Sequence, residues 1–128
     1  MKTRSSLGLG VVALVLAGCI EQPQTGAGLY GEYCASCHGA DARGGPEIDP
    51  PAPDLTTLAR RHGGTYPAVF VMSTIDGYAR EATHGPMPIF GALLDGRVET
   101  WVDADGTPTP TPVSLILLNE YLAGQQES

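Results

Sequence analysis

Lysine occurs once in the 128-residue chain, at Lys2, and aromatic residues make up only 6% of it. The first shortage leaves seven cationic residues against 14 acidic ones, a formal charge of −7. That balance excludes a nucleic-acid ligand, whose phosphates must be neutralised by Lys and Arg. The second shortage leaves few large side chains for a core, while 17 Gly and 11 Pro make the chain loop-rich. Something other than side chains is therefore expected at the centre. Cysteine is also scarce: there are three, an odd number, so a pure disulfide framework cannot use them all. The length suits one compact domain and is too short for two ordinary ones.

No long hydrophobic run is present either. The apolar stretch from Leu7 to Ala17, preceded by Lys2 and Arg4, is about half the length a spanning helix needs. It reads as an export signal over residues 1–18. Its end, Leu16-Ala17-Gly18-Cys19, resembles the bacterial lipobox, which implies acylation of Cys19 as the first mature residue. The alternative is an ordinary signal peptide that leaves Cys19 as a free thiol, a liability in an oxidising compartment. Several acyl chains on Cys19 would anchor the protein stably. Residues 19–26, polar and broken by Pro23 and Gly26, have the composition of a tether. The expected location is the bacterial cell envelope, periplasm-facing and membrane-anchored, with a folded domain over 27–124 and a short tail over 125–128. Loss of Lys2 and Arg4 leaves five arginines, no lysine and 14 acids, a formal −9. Such a surface favours redox partners with a basic docking patch, through steering that weakens as salt rises.

Cys34-Ala35-Ser36-Cys37-His38 has the C-x-x-C-H spacing of c-type haem attachment. Two thiols three positions apart reach the two vinyl groups on one porphyrin edge, and the next imidazole then lies beneath the iron. A zinc site would need a second ligand pair, and the only other cysteine is Cys19. A thioredoxin-like redox pair expects a preceding strand, whereas Gly28 to Tyr33 reads as a short helix with Leu29 and Tyr33 on one face.

On these residues the chain resembles class I cytochromes c, from about Gly26 to Gly124. Gly26-x-x-x-Tyr30-x-x-x-Cys34 is similar to that family's first helix, and Leu118-x-x-Tyr121-Leu122 to its closing helix. The resemblance implies an all-α fold around one covalently attached haem c, with the glycine and the aromatic residue meeting the last helix. Pro53-Asp54-Leu55 resembles the segment whose proline carbonyl accepts the N–H of the ligating imidazole, a role that falls to Pro53.

The resemblance also calls for a second axial ligand, and the mature chain offers Met72 and Met87. Met72 falls in a predicted helix with Thr65 as N-cap, Pro67 in its first turn and Gly77 as terminator, where methionine is usually core filler. Met87 sits in Gly85-Pro86-Met87-Pro88-Ile89-Phe90, where two prolines prevent a regular helix. This pattern resembles the family's distal loop, so Met87 is the expected axial ligand. His62 and His84 are rivals, each read more simply as a surface residue.

Elsewhere, the Gly- and Pro-rich residues 39–53 read as a loop over a haem edge, and Asp54 to Arg61 as a short helix. Arg60, Arg61 and Arg80 are candidates to pair with haem propionates. Val98 to Val102 followed by Asp103-Ala104-Asp105-Gly106 reads as strand and turn, so residues 92–110 are expected to form a small β-hairpin inserted beside the haem. Trp101 would pack on the haem or bond a propionate. The Thr107–Pro112 run is expected as a stiff connector, Thr111 and Pro112 as a helix start, and Val113 to Ala123 as the closing helix.

The functional expectation is electron transfer by a monohaem carrier with His38 and Met87 on the iron, with no catalytic residues and no small-molecule substrate. Two rivals remain at this level. One is an open-site haem enzyme or gas sensor; the other is a haem subunit fixed in a larger respiratory complex.

Overall fold

The computed structural model describes residues 24–46, 48–78 and 87–127. The signal segment, Cys19, Arg80 and His84 lie outside them. The helices are α1 (Gly26–Tyr33), α2 (Ala35–His38), α3 (Leu58–Arg61), α4 (Ala68–Asp76) and α5 (Val113–Gly124), with one hairpin, β1 (Val98–Val102) and β2 (Pro108–Pro112). The domain is mostly helical with a small two-stranded sheet, and among the described residues no helix is long and apolar enough to cross a membrane.

At eight residues α1 is too short to be stable alone. Thr25 caps it by accepting from the Gly28 N–H at 3.0 Å, and packing on α5 does the rest. A Cβ on Gly26 would lie 2.6 Å from the Tyr121 Cβ and 3.0 Å from the Leu117 carbonyl carbon, so only glycine lets the two helices approach this closely. One turn on, the Tyr30 and Tyr121 rings lie 5.2 Å apart. Leu115, Leu118 and Leu122, spaced three and four apart, form the buried stripe of α5.

A 3₁₀ turn over Leu55–Thr57 leads into α3, and Asp54 caps it by accepting from the Thr56 N–H at 2.8 Å. Beyond α5 the chain stays tied to this segment. Gln126 accepts from the Ala59 N–H through Oε1 and donates to the Leu55 and Leu122 carbonyls through Nε2. Helix α4 ends, as expected, at a left-handed Gly77. Its start differs from the sequence reading: the N-cap position is Pro67, not Thr65, because proline cannot donate an N–H and is accepted at a helix edge. Met72 is buried in the core.

The expected hairpin is present, with Val98 opposite Pro112 and Val102 opposite Pro108. Asp103 holds the turn by accepting from the Asp105 and Thr107 N–H groups. The Thr107–Pro112 run, expected as a connector, is instead mostly strand, and Thr111 and Pro112 belong to β2 before the chain enters α5 directly. The flanking bonds Asp103 N–H to Thr107 C=O and Val113 N–H to Arg97 C=O set the ladder parity. Pro108, Pro110 and Pro112 therefore occupy positions whose N–H would point away from β1, so no ladder bond is lost.

Candidate functional site

Helix α1 delivers Cys34, whose N–H bonds the Tyr30 carbonyl at 2.9 Å. The next turn brings the His38 N–H to the Cys34 carbonyl, also at 2.9 Å, and Gly39 ends it at φ +79°. The buried Tyr30 hydroxyl donates to the Gly39 carbonyl at 2.7 Å. The loop then folds back, with the Gly44 N–H on the His38 carbonyl and an isolated bridge between Gly45 and Ala52. Gly44 takes φ +87°, and a Cβ there would sit 3.2 Å from the Pro53 carbonyl carbon. The result places the Pro53 carbonyl oxygen 3.2 Å from His38 Nδ1.

That contact fixes the tautomer. Nδ1 must carry the hydrogen to donate to a carbonyl, which leaves Nε2 with its lone pair. Burial pushes the His38 pKa below its usual value, against the opposing pull of the Pro53 bond, so the ring is held neutral. A neutral imidazole oriented by a carbonyl is the form that binds a metal. The Cys34 thiol behaves differently: burial, and then Cys37, push it up to about 11. A redox-active C-x-x-C needs a lowered thiol pKa and an electropositive setting, so the environment speaks against a thioredoxin-like pair. Among the described residues no cluster of three metal-ligating side chains of the His, Cys, Asp and Glu type exists, which removes a zinc site there.

Cys34, Cys37 and His38 form one wall of a cavity of about 560 Å³. Ile48 and the Pro50–Pro53 loop form a second wall, and Leu55, Leu58, Phe70, Val71 and Ile75 a third. Met87, Pro88 and Phe90 complete it. The Phe90 N–H bonds the Ile75 carbonyl at 3.0 Å, and the Phe90 ring meets Tyr33 edge-on, which ties the Met87 segment to α4 and α1. A largely apolar cavity of this size, with two thiols, an imidazole bearing a free lone pair and a thioether, suits a haem.

The sequence-predicted residues Cys34, Cys37, His38, Pro53 and Met87 are thus brought together, and Met72 is kept out. Of the propionate candidates, Arg61 lines the cavity and Arg60 does not; Arg80 is outside the described residues. Trp101, expected beside the haem, does not line this cavity but a separate hollow, with Met72 and Thr109. In a strand, alternate side chains take opposite faces, and Trp101 falls on the face that packs on the core away from Cys34. His62 is exposed, as expected, but stands at the cavity rim, its ring 5.1 Å from that of Phe70. Sequence reasoning missed the cavity face of α4, formed by Phe70, Val71, Thr74 and Ile75. Their three- and four-residue spacing was the available signal.

The sequence matches the family described as "Cytochrome C oxidase, cbb3-type, subunit III" over residues 21–101, a span that holds the C-x-x-C-H motif, Pro53 and Met87. No curated protein and no solved structure matches the chain. The neutral, carbonyl-oriented imidazole beside two unpaired thiols, the haem-sized apolar cavity and this match converge, and the chain belongs to that family: it is a c-type cytochrome, an electron-transfer protein that carries covalently bound haem c.

Proposed function

We propose that Cys34 and Cys37 attach the haem through thioethers, that His38 Nε2 and Met87 Sδ are its axial ligands, and that the protein is a periplasmic electron carrier anchored to the membrane by acylated Cys19. The observation that carries this reading is that Met87 lines the same cavity as Cys34, Cys37 and His38. With both axial positions filled, the haem supplies one-electron chemistry and needs no substrate. The chain's own contributions follow from its geometry. Pro53 holds the His38 ring in one orientation and makes Nε2 a stronger donor. Phe70, Val71, Ile75 and Leu55 would shield a haem held in the cavity from water, and Arg61, whose guanidinium donates to the Asp54 carbonyl, would be placed to pair with its carboxylates. The acidic surface fits partners with a basic patch.

Absorption spectra of the oxidised and reduced protein, wild type beside Met87→Ala, test the ligation. The weak far-red band of Met-ligated ferric haem is expected in the wild type and absent from the variant. A wild type without that band, whose ferrous form readily binds carbon monoxide, sinks the carrier reading in favour of an open-site enzyme or sensor. The family match favours a second reading, in which the chain is a haem subunit fixed in an oxidase complex. Purification in mild detergent separates the two: a lone carrier elutes without stoichiometric partners.

A further inference from the structure

The ladder parity leaves the two edges of the hairpin unequal. Bonds at Arg97/Val113 and Asp103/Thr107 mean that the odd-numbered residues of β1 bond β2. The N–H and C=O groups of Val98, Thr100 and Val102 then point the other way. On β2 the outward positions are Pro108, Pro110 and Pro112, which have no N–H to offer. Pro110 and Pro112 also line the hollow shared with Val69, Met72 and Asp76 of α4. That edge is closed to another strand, as edges blunted by proline are. The β1 edge is not: among the described residues no backbone group outside β2 bonds it, and Val98 and Val102 are 53% and 55% exposed.

We infer that the β1 edge pairs antiparallel with the β1 edge of a second copy of this chain, making a four-stranded sheet about a two-fold axis through Thr100. The sequence of the strand selects this occupant. In the register that places Thr100 opposite itself, Val98 meets Val102 of the second copy twice, a β-branched pair on one face. Arg97, which pairs with Glu99 on its own strand, meets Asp103 of the second copy twice, with the Asp103 Oδ1 held by the turn and its Oδ2 left to face the guanidinium, and Glu99 meets Trp101, so no like charges stand directly opposite. The parity agrees as well: residues 98, 100 and 102 are the outward-facing ones in both copies, so each meets a partner that can exchange both backbone bonds. The interface is isologous, as a two-fold requires. Five-residue strands bury less than a standard interface, so the association is weak and concentration-dependent.

The test uses the full-length haem-loaded protein in mild detergent at physiological ionic strength, where the Debye length is about 8 Å and repulsion between two acidic bodies is short-ranged. In Thr100→Cys the two-fold sets the new cysteines as a hydrogen-bonded pair with Cα atoms about 5.5 Å apart, within disulfide reach. Mild oxidation should give a homodimeric disulfide, whereas Ala123→Cys, at an exposed site on α5, should stay uncross-linked. Thr100→Pro removes an N–H the hairpin does not use and should fold, as β2 tolerates three such prolines. Sedimentation read at the haem absorbance should show two copies for the wild type at high concentration and one for Thr100→Pro, with unchanged spectra. Any one of three results overturns the inference: cross-linking of Thr100→Cys no faster than that of Ala123→Cys, a wild type that stays single, or a Thr100→Pro variant that self-associates like the wild type.

Discussion

Replacing Gly26 by alanine should destabilise the domain even though alanine is the better helix former. In a helix interior the exchange favours alanine by about 1 kcal/mol. Gly31→Ala, whose added Cβ would meet nothing within 4 Å, should show that gain without interference. At Gly26 the added methyl would lie 2.6 Å from the Tyr121 Cβ and 3.0 Å from the Leu117 carbonyl carbon. Ordinary contact needs the helices to part by about 1 Å, which loosens the Tyr30–Tyr121 pair, and over-packing of this kind costs about 1–3 kcal/mol. Set against the propensity gain, this leaves a net loss of about 1 kcal/mol, which lowers Tm by roughly 4–8 °C in a domain of this size. Thermal unfolding of the haem-loaded protein, followed by circular dichroism and by the haem absorbance, measures it with Gly31→Ala alongside. A Gly26→Ala protein as stable as wild type would refute the close-approach argument, since no other group at that position could absorb the methyl.

Tyr30→Phe removes the bond to the Gly39 carbonyl and should cost about 1 kcal/mol at neutral pH in denaturant unfolding. Burial pushes the Tyr30 pKa up to about 12. The folded state therefore keeps a proton that the unfolded chain releases from about pH 10. Stability from this group is complete below pH 10 and lost as pH rises towards 12, so the wild type should weaken more steeply than Tyr30→Phe in that window. Gly44→Ala puts a Cβ into left-handed backbone against Pro53 and should cost about 1–2 kcal/mol. By displacing the Pro53 carbonyl it should also raise the midpoint potential in a redox titration, because a less basic His38 stabilises ferric iron less. Gln126→Ala leaves the Leu55 carbonyl and Ala59 N–H without their side-chain partner and should lower stability by about 2 kcal/mol, read from the denaturation midpoint.

Much of the site was legible because its chemistry is local. Cys34, Cys37 and His38 are adjacent along the chain, and Gly26 and Tyr30 stand one turn apart on a helix whose partner carries its own apolar stripe. Pro53 and Met87 were reachable only through resemblance, since nothing in their neighbours states which group they meet. The hairpin was visible as strand-like residues and a turn, but the face taken by Trp101 was not. Alternation says that neighbours in a strand diverge, and only the packing of β1 on the core decides which of them turns inwards. The run of alternating prolines misled for a related reason: composition argues for a connector, whereas a period of two places all three on the edge where their missing N–H does no harm. The cavity face of α4 was hidden because that helix is apolar on two sides, Met72 towards the core and Phe70 with Thr74 towards the cavity. The anchoring of Gln126 to the Leu55 carbonyl and the Ala59 N–H left no trace in local pattern, as these two partners lie about seventy residues away.

The space beside Cys34 also bears on the order of events during biogenesis. Void volume in a protein interior costs about 24 cal/mol per Å³. The cavity of about 560 Å³ is open to solvent, so without the haem it would fill with water against largely apolar walls, at a smaller cost than a sealed void. A bound haem would be the largest apolar group in contact with the core and would add the burial of these walls to the stability of the fold. If Cys34 and Cys37 carry the haem as proposed, attachment before folding is the expected order, with Cys34-Ala35-Ser36-Cys37-His38 met in an open chain. Failure of that step would leave a less stable chain for proteases to clear, and haem colour and protein should disappear together.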